Sequence, residues 1–389
     1  MNKFIPLSVP NLKGKELEYV TKAIETEWVS TGGSYIDEFE RNISNYLKVE
    51  KAVACQSGTA GLHLALKLSG VEYGNEVIVP TLTFIAAVNP VKYLGAEPIF
   101  MDCDDTLNMD LEKLEEFCSN ECYLSIKGLI NKKTQKLIKA IVIVHVFGNM
   151  ADMEKLMEIA LKYNLKVIED STEALGTYCT SGKYSGKFAG TIGDFGVYSF
   201  NGNKIITTGG GGMLVANDKA LIQKAKYFST QSKDDELYYL HNDIGYNYRM
   251  TNLQAALGVA QLEQLEYFIQ IKTKNYNSYK SLLHEINGLG LLAFNKNIRP
   301  NYWLYSLVID KEKYGLDRDE LLTKLNNQNI QTRPIWGLIH QQKPYLSNQA
   351  YKIEKAFNYI GKILNIPCST NLSIEDIDTV ICALKNIKS

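Results

Sequence analysis

Three polar clusters, each directly after an apolar run, hold residue types that could carry chemistry. Ser57-Gly58-Thr59 follows the run at 52–55 and opens a helical stretch. Glycine lets backbone approach a ligand, and a helix start offers free N–H groups to an anion; alone, the triplet is an ordinary N-cap. Glu169-Asp170-Ser171-Thr172-Glu173 follows Val167-Ile168. A carboxylate there is either held at a ligand-facing strand end or simply solvated. Ser199-Phe200-Asn201-Gly202-Asn203-Lys204 follows Val197-Tyr198 and precedes the four glycines at 209–212. A free lysine has a pKa of about 10.4 and becomes a good nucleophile only where its surroundings lower that value. Alone, Lys204 reads as a surface cation and the glycines as a flexible hairpin; no Gly-Lys-Ser/Thr follows them, so this is not a P-loop.

Together the clusters supply an anion cradle, a strand-end carboxylate and a turn lysine. A pyridoxal phosphate site requires these parts: the phosphate needs the helix start, the aldehyde needs a lysine, and the pyridine nitrogen needs an acid to keep it protonated.

The scaffold must bring them together. Short apolar runs at 52–55, 76–79, 98–101, 140–146, 166–168 and 196–198 alternate with helical stretches such as 60–68 and 153–163. That alternation predicts a mostly parallel sheet covered on both faces, with ligands at its carboxyl edge. Helices are predicted at 13–27, with Leu17, Val20 and Ile24 on one face, and from Ile36 to Leu47. After Met250 come a long helix from Asn252 to about Leu283, a Gly- and Asn-rich break near 287–300, and strands at 305–309 and 330–334. Asp317 and Glu320 are spaced as a capping box, and a last helix follows Ser373 and Asp376. The expected division is a large domain over 1–250, whose first residues pack on the second unit, and a smaller α+β domain over 251–389.

Composition narrows the function classes. Lys plus Arg is 42 against 43 Asp plus Glu, a net charge of −1. No cationic excess points to nucleic acid or an anionic membrane. The best apolar run, 140–147, falls far short of the roughly 20 residues of a membrane span. The first residues, Met1 to Pro6, lack a signal core, so a cytoplasmic location is expected. Seven scattered cysteines make no disulfide framework. Cys118 and Cys122 lack the second half of a zinc site, so no metal is expected.

A family resemblance runs through the same residues. Trp28-Val29-Ser30-Thr31-Gly32-Gly33, Glu38-Phe39-Glu40, Ser57-Gly58-Thr59-Ala60-Gly61-Leu62 and Pro80-Thr81-Leu82-Thr83-Phe84 occur in order. His145-Val146-Phe147-Gly148, Glu169-Asp170, the Ser199 to Lys204 turn, Thr207-Thr208-Gly209 and Gly245-Tyr246-Asn247-Tyr248-Arg249-Met250 follow. Across nearly its whole length the chain resembles the DegT/StrS-type sugar-nucleotide aminotransferases. These have the aspartate aminotransferase fold (fold type I), an α/β large domain with a mixed, mostly parallel sheet. The resemblance implies pyridoxal 5'-phosphate as cofactor, Lys204 as its Schiff-base lysine and proton shuttle, and Asp170 as partner of the pyridinium nitrogen. It places Phe84 on one ring face and Thr172 on the other, with the phosphate held by Ser57, Gly58, Thr59 and Ser199. It also implies a homodimer with composite sites, Asn247 reaching the neighbouring subunit's phosphate.

Two positions depart from the family pattern. Glu173 stands where Gln commonly contacts the ring hydroxyl, and a Glu there must be protonated or paired to share that hydrogen bond. Gly210 stands where the family has an acid. Both departures, with Asn201-Gly202-Asn203-Lys204, resemble the branch that makes 4-amino-4,6-dideoxy-N-acetylhexosamine nucleotides. That branch implies amination at C4 of a UDP-linked 4-keto-6-deoxy-N-acetylhexosamine, with L-glutamate as donor. A doubly anionic sugar nucleotide also needs cations and aromatics; the candidates are Trp28, Ser30, Thr31, Arg249, Arg333 and Trp336. The alternatives are a dTDP- or GDP-keto-sugar aminotransferase acting at C3 or C4, a sugar dehydratase, a regulator and a nicotinamide enzyme. Lys204 argues against the dehydratases, in which histidine replaces the lysine. A regulator would add a basic DNA-binding module. No Gly-x-Gly-x-x-Gly follows the first strand, as a nicotinamide site requires.

Overall fold

The computed structural model describes residues 3–235 and 237–387. Among these residues, ten strands join one sheet. Its main path runs Lys51–Cys55, Gly212–Ala216, Phe195–Ser199, Lys166–Asp170, Leu137–Val144, Glu76–Pro80, Glu97–Met101 and Ala350–Tyr351. From Phe195–Ser199 onward every neighbour on this path is parallel, whereas Gly212–Ala216 is antiparallel to both of its neighbours. A hairpin, Cys122–Ser125 with Gly128–Asn131, joins the side of Leu137–Val144.

The strands read as continuous apolar runs because both faces are covered. Val53, Val77, Val79, Val142, Ile168 and Val197 pack with the Gly58–Leu68 helix on one face. Ile78, Ile141, Ile143 and Val167 pack with the Leu111–Asn120 and Met153–Tyr163 helices on the other. Period-two alternation therefore sends Glu169 and Asp170, the last residues of one strand, to opposite faces.

The second unit is built on an antiparallel sheet ordered Leu289–Leu291, Tyr305–Ile309, Ile363–Ile366 and Arg333–Pro334. The Asn252–Leu283 helix starts at a Thr251–Gln254 capping box, and the expected Asp317–Glu320 box opens Arg318–Asn327. Chain position and sheet membership do not run in step across residue 250. Ala350–Tyr351 extends the large sheet beside Phe100 and Met101. In the other direction, the Ile5 N–H donates to the Asn329 carbonyl at 2.9 Å, and the Gln331 N–H to that of Ile5 at 2.9 Å.

One helix follows its sequence pattern only in part: of the predicted face, Val20 packs half-buried on the core while its neighbours turn outward. In Glu16–Glu25 the inner face is Glu16 and Ala23, while Leu17 and Ile24 are 81% and 55% exposed. Gln261 Nε2 donates to Glu16 Oε1 at 2.6 Å, and this polar tie to the long helix fixes which side faces inward.

Glu169 anchors the middle of the large sheet. Its buried carboxylate accepts from the N–H groups of Gly190, Ile192 and Gly193 at 2.8, 2.7 and 2.6 Å, and from His145 Nε2 at 2.9 Å. Ala151 N–H donates to His145 Nδ1 at 3.2 Å, so the imidazole proton sits on Nε2. A Gln at this position turns an amide donor toward those donors. Glu169→Gln should cost about 2–4 kcal/mol of stability, read as a lower thermal midpoint with no change in secondary structure at 25 °C.

Candidate active site

Three parallel strand ends and one helix start converge on a cavity of about 400 Å³. Ser57, Gly58 and Thr59 line it from the start of Gly58–Leu68, where Ser57 Oγ caps the helix by accepting from Ala60 N–H at 3.1 Å. The first N–H groups of a helix have no partner within it, so this end presents donors to the cavity. An added Cβ on Gly58 would lie 2.9 Å from Thr172 Cγ2 and 3.1 Å from Ser199 Cβ. Only glycine lets the cradle close onto the two strand ends.

The four-glycine run is no loose hairpin. A Cβ on Gly212 would strike the Ser57 carbonyl at 2.6 Å, and Gly211 bridges Ser57 along the backbone. Gly210, where the family has an acid, meets only Gln254 Nε2 at 3.4 Å, so backbone packing does not demand a glycine there.

Asp170, Thr172, Glu173 and Ser199 line the cavity with Lys204, Phe84 and Trp336. Asp170 Oδ1 accepts from Thr172 N–H at 3.0 Å. Burial pushes its carboxyl above the usual range, against the Thr172 hydrogen bonds and the charge of Lys204. Lys204 Nζ lies 3.7 Å from Glu173 Oε1, and Phe147 N–H donates to Glu173 Oε2 at 2.8 Å. Burial pushes Glu173 up to about 7; Lys204 and the Phe147 N–H oppose the shift, and Asp170 reinforces it.

Other sequence candidates lie outside this cavity. Trp28 is exposed and lines a separate cavity of about 390 Å³ with Tyr35 and Asn252. Its carbonyl accepts from Asn252 Nδ2 at 2.6 Å, and that of Ser30 from Asn252 N–H at 2.6 Å; Thr31 follows in the same segment. Arg333 is exposed on the edge of the small sheet. Asn247 is exposed and pairs with Thr230, while Arg249 pairs with Cys55 beside the cradle and its Nε is buried without a partner among the described residues. Trp303, which no sequence signal singled out, lines the cavity with its ring centroid 4.2 Å from Lys204 Nζ. It lies just past the Gly- and Asn-rich break, where no periodicity marks it.

Residues 10–385 match the model of the DegT/DnrJ/EryC1/StrS aminotransferase family. The chain belongs to this family. It is 39% identical over 377 residues to a GDP-perosamine synthase of Escherichia coli O157:H7, covering 96% of each chain. A UDP-4-amino-4,6-dideoxy-N-acetyl-beta-L-altrosamine transaminase of Campylobacter jejuni is 29% identical, over 99% of this chain and 98% of that one. A DegT DnrJ EryC1 StrS aminotransferase from Brucella abortus superposes with a TM-score of 0.86 at 26% identity, over 96% and 95% of the two chains. The fold is that of the type I pyridoxal phosphate transferases, and the chain is a sugar aminotransferase with pyridoxal 5'-phosphate as cofactor. The cavity fits that group in its donor set: an amine at Lys204, helix-start donors at the cradle, and a buried carboxylate at Asp170 that lacks a full counter-charge.

Glu173 gives this aminotransferase a pH signature. Its folded-state pKa is raised from 4.5 to about 7, so the folded cofactor-free chain binds the extra proton and loses stability as pH rises through that window. The neutral amide in Glu173→Gln cannot take up that proton. The variant's thermal midpoint should gain on the wild type between pH 4.5 and about 7 and hold a constant lead above it. Parallel midpoints across that range would show that Glu173 titrates normally.

Proposed function

We propose that the chain transfers an amino group from L-glutamate to the keto group of a sugar linked to a nucleoside diphosphate. The observation that carries this reading is the meeting of Lys204, Asp170 and the Gly58–Leu68 helix start in one cavity. Bound there, the cofactor would supply an aldehyde to take up the amino group and a ring to accept electrons. Ser57, Gly58, Thr59 and Ser199 hold its phosphate. Asp170 would hold the proton on the ring nitrogen, and Glu173, when protonated, would donate a hydrogen bond to the ring oxygen. Phe84 and Thr172 would flank the ring, and Lys204 would anchor the cofactor and move a proton at Nζ. Arg249 and Trp336 are the substrate candidates nearest this machinery; Trp28, Ser30, Thr31 and Arg333 need a second surface to join it.

Support for the acceptor is divided. Identity to a GDP-perosamine synthase favours a GDP-linked keto-sugar. Glu173 and the Asn201 to Lys204 turn, with the Campylobacter transaminase, favour the UDP-linked 4-keto-6-deoxy-N-acetylhexosamine aminated at C4. The GDP-linked sugar is the first choice because the likeness is higher. Incubation with glutamate and equal amounts of GDP-, UDP- and dTDP-linked keto-sugars should yield a GDP-linked amine, with a kcat/KM at least tenfold above the others. A UDP-linked 4-amino product in excess would reverse the order, and no product from any would reject the sugar-nucleotide reading.

The site is completed by a second copy in this reading. Asn247 is exposed outside its own cavity, next to a hairpin whose Leu237, Tyr238, Tyr239 and Ile244 are all exposed. Mixing Lys204→Ala with Asn247→Ala subunits should restore about a quarter of wild-type activity on statistical exchange, since one site of each mixed dimer is intact. Exchange without recovery would place Asn247 outside the composite site.

A further inference from the structure

Lys204 ends the turn that begins at Ser199, and a side chain this long needs something to fix its amine. Glu173 and Asp170 face it with charge, the Glu173 oxygen at 3.7 Å, and an aromatic ring closes on it as well, the Trp303 centroid 4.2 Å away. The ring lies within reach of a cation–π contact. The same indole also holds the turn itself, since Nε1–H donates to the Asn203 carbonyl at 2.7 Å, one residue before the lysine.

Trp303 is in turn immobilised from behind. Its N–H donates to Asn301 Oδ1 at 3.0 Å, and Asn301 Nδ2 donates to the Glu173 carbonyl at 2.8 Å. Its own carbonyl accepts at 2.9 Å from Lys272 Nζ, a buried ammonium that also donates to the Cys368 carbonyl at 2.7 Å. Burial lowers the Lys272 pKa, and holding this amine on two carbonyls, with no carboxylate partner among the described residues, is costly. Here it pins the backbone of one residue, and that residue carries the ring on Lys204.

We propose that Trp303 is a positioning residue that fixes Lys204 in two ways: the indole face seats the ammonium, and the indole N–H fixes the turn that carries it. The proposal rests on the reading of Lys204 as the attachment point. Attachment joins neutral Nζ to the aldehyde carbon, with the aldehyde oxygen leaving as water.

The test is the rate at which cofactor-free protein captures added pyridoxal phosphate, followed by the visible band across a pH series. Trp303→Phe keeps a ring and loses the N–H. Capture should slow several-fold with the half-maximal pH unmoved. Trp303→Leu keeps an apolar wall and loses the ring, so the half-maximal pH should also fall by about 0.5 to 1 unit, the size expected of a partly buried cation–π contact. Wild-type rates in Trp303→Phe, or equal half-maximal pH in both variants, would overturn the proposal. A third protein keeps the question answerable if Trp303→Leu does not fold. In Trp28→Phe/Trp336→Phe, the remaining indole emission should fall in step with the rising band, and unchanged emission would count against the contact. Borohydride reduction and peptide mapping separate the two ideas. Label on another lysine defeats the attachment reading, whereas label on Lys204 with unaltered capture in both Trp303 variants defeats only the role of Trp303.

Discussion

Two neighbouring carboxylates with opposite fates hold the centre of this molecule together. The pleat of one strand sends Glu169 and Asp170 to different faces. Glu169 meets three backbone N–H groups and His145, so its charge is fully absorbed. Asp170 receives far less and stays electrostatically hungry in the cavity. The satisfied acid also organises the unsatisfied region. It orients His145, whose loop places the Phe147 N–H on Glu173, and Glu173 in turn faces Lys204.

Close approach is the second constraint. The cradle, the Ser199 strand end and the glycine turn pack with less than a methyl group's clearance at Gly58 and Gly212. A site that must grip a small dianion gains from donors that cannot retreat, because the ordering cost is met during folding and not at binding.

Much of this was legible in the residues. Continuous apolar runs exposed the covered parallel sheet, and the position of each polar cluster after a run exposed its convergence, because side chains at the carboxyl edge share one rim. Less legible were features set by long-range packing. The outward turn of Leu17 and Ile24 depends on Gln261, far away in the chain. Which of Glu169 and Asp170 would face the cavity depends on the pleat's register against its neighbours. Trp303 sits beside Lys204 because Ile298–Arg299 pairs with Tyr178–Cys179 and Asn301 Nδ2 donates to the Glu173 and Leu175 carbonyls, and nothing local in its surroundings says so.

The two crossings between the units bear on how a large substrate enters. A single linker would let one body swing widely from the other. Here the first residues are stitched to the region around Ile330, and Ala350–Tyr351 is hydrogen-bonded into the far edge of the large sheet. A chain sewn back and forth in this way resists opening like a book, since wide rotation must tear main-chain pairs. Admission of a large substrate is therefore tied to the opening the cavity already has, beside the exposed Phe84.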